Sequence, residues 1–118
     1  MSLVWLYCVT SAPVAGLRGV DGAAVRAVEA SGLVALVSDV SADYEQPGLD
    51  ERVRDGDWLT PRATAHQEVN AAVHRANDAS LPVPFATIYR SEDRVREMLG
   101  DRSRELAAKL ASLRGGAD

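Results

Sequence analysis

The 118-residue chain has few of the residues that most often signal chemistry: one cysteine, one phenylalanine, two histidines and one lysine, Lys109. A lone Cys8 excludes an intramolecular disulfide, and with it the class of small disulfide-stapled domains. Cys8 lies in an apolar run with no cationic neighbour in sequence, so it reads as a small buried hydrophobe and not as a reactive thiolate. No apolar run reaches the roughly 18 residues that a spanning helix needs. The opening MSLVWLYCVT lacks a basic stretch and a small-residue cleavage site, so it does not read as a signal peptide. A basic stripe with interleaved aromatics is missing too. With 5% aromatics and a net charge of −4, the composition argues against nucleic-acid binding. A cytoplasmic protein is expected.

What is present is ordinary globular material, 47% hydrophobic and 25% charged. One domain is expected, of a size that buries about two-thirds of its unfolded surface. Charge is uneven. Residues 39–57 hold seven acids (Asp39, Asp43, Glu45, Asp50, Glu51, Asp55, Asp57) against Arg52 and Arg54, a balance of −5 that leaves +1 elsewhere. These acids lack the alternating spacing and the glycine of a calcium loop, so a solvated loop accounts for them.

Seven consecutive apolar residues, Leu3–Val9, predict a strand buried on both faces. Ser11–Gly22 reads as a loop. Residues 24–30 and Leu33–Val40 flank Ser31–Gly32 and predict a β-hairpin, although the alanine-rich first arm also tolerates a helix. A short helix is expected near Leu49–Arg54. Thr60 as N-cap and Pro61 at the first helical position open a longer one, whose inner face is His66, Val69, Val73 and Ala76. LPVPFATIY predicts a strand, then Ser91 caps a last helix with Val95, Leu99, Leu106, Leu110 and Leu113 on one stripe until Gly115–Gly116. In an extended strand Pro82 and Pro84 remove donors from the same side, so this strand belongs at a sheet margin. The class that follows is α+β: a small, mainly antiparallel sheet of about four strands, in β-β-β-α-β-α order, packed with two main helices.

No motif assembles a catalytic centre. His66 and His74 are eight apart, not the i, i+4 pair of HExxH, so His66 reads as a hydrogen-bonded, semi-buried histidine and His74 as exposed. GLRGVDG matches neither the dinucleotide GxGxxG nor a phosphate loop, and turn chemistry explains its glycines. Trp58 reads as a staple against the start of the long helix. The alternating arginines and acids of residues 92–105 read as a solvated, ion-paired surface. An enzyme would need His66 and the acidic loop to meet in space.

Three segments together resemble the N-terminal domain of the gas vesicle protein F/L (GvpF/GvpL) family: WLYCVT with GLRGVDG, the hairpin AVRAVEASGLVALVSDV, and WLTPRATAHQEVNAAV followed by LPVPFATIYRSEDRVREML. The resemblance runs from about Leu3 to Leu113. It departs at two places, since the family pattern is close to LPxRFGTxF where this chain has Pro84 and Ala86. The family also continues into a second, C-terminal α+β domain. Residues 1–114 therefore correspond to the N-terminal domain and 115–118 to a tail or the start of a linker.

The resemblance implies a non-enzymatic accessory protein of the gas vesicle, without cofactor or metal. Such proteins bind the hydrophobic shell protein GvpA and other vesicle proteins during assembly. The residues expected to dock a partner or domain are Pro82 and Pro84 on the strand margin and Leu99, Leu106, Leu110 and Leu113 on the last helix. The alternative is a small-molecule-binding or regulatory α+β domain acting as a dimer.

Overall fold

The computed structural model describes residues 3–44 and 48–115. Of the tail expected at 115–118, Gly115 ends the last helix and the remainder lies outside them, as do residues 45–47 of the acidic loop. Strand β1 (Leu3–Thr10) runs through the middle of the sheet, with every residue buried. Its odd-numbered residues Leu3, Trp5 and Tyr7 enter one core, and Val4 and Leu6 enter another on the opposite face. This is the two-faced burial that a continuous apolar run predicts. A bulge between Leu6 and Cys8 places Tyr7 and Cys8 in the same core and shifts the alternation beyond them.

Strands β2 (Arg26–Ala30) and β3 (Leu33–Val40) form the expected hairpin. Both turn residues have positive φ, Ser31 at 55° and Gly32 at 75°, the conformation whose twist suits a two-residue hairpin. β3 pairs antiparallel with β1, so β2 forms one margin of the sheet.

The other margin is more complex than one strand. β4 (Ser80–Pro82) pairs with Cys8–Thr10, and β5 (Ile88–Tyr89) pairs with Val4–Trp5. LPVPFATIY is thus a single edge segment interrupted in the middle. Residues 83–87 stand opposite only Leu6 and Tyr7, so three residues are looped out. Val83 still donates inward to the Tyr7 carbonyl (3.1 Å), and the Leu6 N–H donates to the Thr87 carbonyl (2.9 Å). Because Val83 turns its N–H inward, neighbouring Pro82 has its nitrogen outward, where no ladder bond is lost. The position at a sheet margin inferred from the prolines holds.

Helix α1 (Gly48–Arg52) precedes α2 (Gly56–Ala76). α2 begins earlier than Thr60–Pro61 predicts. Asp55 is the N-cap, its carboxylate accepting from the Asp57 N–H (3.0 Å), and Pro61 lies inside the helix. The earlier cap prevails because Trp58, inside the extra turn, packs on Tyr44 with ring centroids 5.5 Å apart. His66, Val69 and Val73 form the buried face as expected, and Ala76 at the helix end is exposed.

The last helix is two: α3 (Glu92–Asp101), capped by Ser91, and α4 (Ser103–Gly115). They break at Arg102 (φ −110°, ψ 15°), between Gly100 and Ser103, residues that weaken a continuous helix. α2 covers one face of the sheet and α3–α4 the other, giving an α+β body with a fully antiparallel sheet between two helical layers.

Candidate interaction surface

The buried Tyr7 and His66 are hydrogen-bonded to other groups inside this body. The Tyr7 hydroxyl accepts from the Val20 N–H (2.8 Å) and shares a hydrogen bond with Ser38 Oγ (2.7 Å), tying the glycine-rich loop to the sheet. Outside it, the Tyr44 hydroxyl donates to Asp21, while Arg62 Nε donates to Tyr44 (2.9 Å) and its Nη2 pairs with Asp21 (2.9 Å). Burial, then the Asp21 bond, push the Tyr44 pKa up to about 12. Arg62 also lies 4.5 Å over the Trp58 ring, so these side chains clamp the loop at Asp21 onto α2.

His66 is 8% exposed and has both ring nitrogens occupied. The Trp5 indole N–H donates to Nδ1 (3.0 Å), and Nε2 donates to the Val83 carbonyl (3.0 Å). Trp5, Tyr7 and Phe85 surround the ring with centroids 5.5–5.9 Å away. This is the hydrogen-bonded histidine that its helical face predicts, and neither nitrogen is given to a carboxylate or to Cys8. Burial pushes the Cys8 thiol up to about 12. Among the described residues, no group of three or more His, Cys, Asp or Glu is placed to hold a metal ion. No helix among them is long and apolar enough to cross a membrane.

The surface is organised differently at the interrupted edge. Pro82 and Pro84 are both exposed. Leu99, Leu106 and Leu110 turn inward and are 0%, 5% and 3% exposed, packed against the chain's own sheet. Leu113 stands apart at 53%, the one large hydrophobic side chain exposed among the described residues. It lines a groove of about 500 Å³ with Leu81 and Pro82 of the edge and Asn70, Ala71 and His74 of α2. The Asn70 amide donates to the His66 carbonyl (3.1 Å), while its side-chain oxygen is buried with no hydrogen-bond partner.

The fold brings Pro82 and Leu113, 31 positions apart, to one groove, and assigns the other three leucines to the core. Sequence reading missed the contribution of Asn70, Ala71 and His74, which lie beside the buried face of α2 and carry no signal of their own. It also missed Phe85, half-buried and packed against the core, although the Gly of the family pattern at position 86 marks a backbone turn there.

These features define an α+β body whose buried tyrosine and histidine are hydrogen-bonded and which has an open groove at one sheet margin. Residues 3–118 match the family described as gas vesicle synthesis protein GvpL/GvpF, and the chain belongs to that family. It is 33% identical over 101 residues to gas vesicle protein L of Streptomyces sp. (strain CB03234), covering 85% of this chain and 38% of that protein. To gas vesicle protein L1 of Halobacterium salinarum it is 35% identical over 117 residues, covering 94% of this chain and 39% of the relative. The crystal structure of GvpF from Anabaena sp. PCC7120 shares the fold, with a TM-score of 0.65 at 21% identity over 94% of this chain and 46% of that one. The chain thus spans about two-fifths of the length of the curated relatives it matches.

Proposed function

We propose that this chain acts in gas vesicle assembly as a non-catalytic docking body, binding the shell protein GvpA and other vesicle proteins at the gas vesicle in the cytoplasm. Family membership supports the setting. The observation that carries the docking surface is Leu113, exposed at an apolar groove beside Pro82. A backbone without an outward N–H at Pro82 disfavours strand addition along this margin, so a partner engages it through side chains.

The test is binding of purified GvpA to the chain, measured with wild type and with Leu113→Asp. An apolar contact at the edge of an interface is worth about 1–2 kcal/mol, so the variant is expected to bind about tenfold more weakly or worse. Its melting temperature should stay close to that of wild type, because the side chain is exposed. Unchanged binding by a folded L113D protein refutes the groove as the docking surface. Absence of GvpA binding by wild type refutes the partner.

The groove's volume also falls in the range of small-molecule sites, roughly 300–1,000 Å³, which favours the ligand-binding alternative. Under that reading a small apolar compound raises the melting temperature of wild type and not of L113D.

A further inference from the structure

His66 joins the middle of α2 to the interrupted edge, and its two bonds run in opposite senses. The Val83 carbonyl only accepts, so the ring proton sits on Nε2, and Nδ1 is then the acceptor for the Trp5 indole N–H. This pattern exists in one protonation state. A second proton would place an N–H on Nδ1 facing the Trp5 N–H, donor against donor across 3.0 Å.

Among the described residues, no carboxylate hydrogen-bonds the ring to offset such a charge. β1 presents Trp5 and Tyr7, the edge segment presents Val83 and Phe85, and Asn70 on α2 bonds only to the His66 carbonyl. Tyr7 is the one titratable side chain among them, and burial raises its pKa further from neutrality.

The segment that His66 holds is itself strained. Ala86 has φ 66°, a left-handed conformation that a side chain disfavours. Three looped-out residues break the ladder there. Besides the His66–Val83 bond, the loop is held to β1 by the Val83 N–H on the Tyr7 carbonyl (3.1 Å), the Leu6 N–H on the Thr87 carbonyl (2.9 Å) and Phe85 on the Trp5 ring (centroids 5.0 Å), and it is closed on itself by Thr87 Oγ1 donating to the Pro84 carbonyl (2.7 Å).

We propose that His66 is a proton-operated latch: neutral, it holds residues 83–87 closed against the sheet, and protonated, it releases them. The device does not depend on which partner meets this margin. Burial lowers the His66 pKa below the ordinary 6.5, with the Val83 bond opposing part of that effect. The released form therefore takes up a proton first. Latching is at full strength above pH 6.5 and weakens as pH falls from 6.5 toward the lower value of the closed form.

The test is NMR on the intact chain between about pH 7.5 and about pH 5, above the range where ordinary carboxylates titrate. The ring nitrogens of His66 and the Trp5 indole N–H are followed, together with exchange protection of the Leu6 and Val83 amides corrected for intrinsic rates. The expected result is an Nε2–H tautomer at the higher pH. Protection at both amides then falls as pH drops below about 6.5, ahead of the closed form's own His66 titration, by up to about tenfold per pH unit, the limit for one proton. His66→Gln offers one acceptor and one donor without a titration, and should remove the acid step. The latch is overturned if protection at both amides stays constant as pH falls below 6.5 across this window, or if H66Q retains the step. Should H66Q fail to fold, the wild-type titration alone decides.

Discussion

A methyl group added at Gly19 would sit 2.0 Å from the Tyr7 hydroxyl oxygen and 2.6 Å from the adjoining ring carbon. Tyr7 cannot retreat, because its ring is buried and its hydroxyl is bound to Val20 and Ser38. Gly19→Ala is therefore expected to destabilise by about 2–3 kcal/mol, the cost of overpacking a fixed core. Gly16, at φ 80° with open space around it, should cost only about 1 kcal/mol on the same change, from backbone strain. Urea unfolding of the two variants separates the causes. Ala86 presents the converse case, holding a left-handed conformation with a side chain. Ala86→Gly relieves about 1–2 kcal/mol of strain and gives back part of it to the more flexible unfolded chain, for a net gain of about 0.5–1 kcal/mol. A raised urea midpoint with an unchanged slope is the expected reading. The glycines of GLRGVDG were legible as turn chemistry, but the need for one of them comes from Tyr7, which no local pattern connects to Gly19.

Among the elements, α2 shows how a local signal loses to packing. Thr60–Pro61 has the form of a helix start, yet the helix begins at Gly56 because Asp55 caps it and Trp58 gains Tyr44 and Arg62 as neighbours. Pro61 is left where its missing N–H and its ring interrupt the bond to the Asp57 carbonyl. Replacing it with alanine should stabilise the chain by about 1–2 kcal/mol, less than the full helix-interior penalty because the site is near the N-terminus. Thermal unfolding of P61A checks this, and a loss of stability would show that the proline fixes the helix entry. The α3–α4 break has a related origin. The stripe Val95, Leu99, Leu106, Leu110 was readable as one apolar face, and all four residues are buried. The bend at Arg102 falls between Gly100 and Ser103, weak helix formers whose signal the continuous apolar stripe outweighed. Leu113 is left exposed beyond the last of the four buried residues.

At the scale of the molecule, a sheet covered on both faces leaves its margins and the ends of its helices as the surface open to neighbours. One such margin, β4–β5, carries the groove where partner binding is proposed and the loop that His66 holds. Sequence alone determined the fully buried central strand, the hairpin turn, the polar outer faces of the helices and a margin that cannot donate at Pro82. Each rests on periodicity, turn chemistry or a missing N–H, properties of neighbours along the chain. Only tertiary structure decided that LPVPFATIY splits, that Phe85 turns in to meet Trp5 and His66, and that Leu113 joins Pro82 at one groove. Those outcomes depend on contacts between residues up to 80 positions apart, and contacts at that range are set by how the faces close on one another.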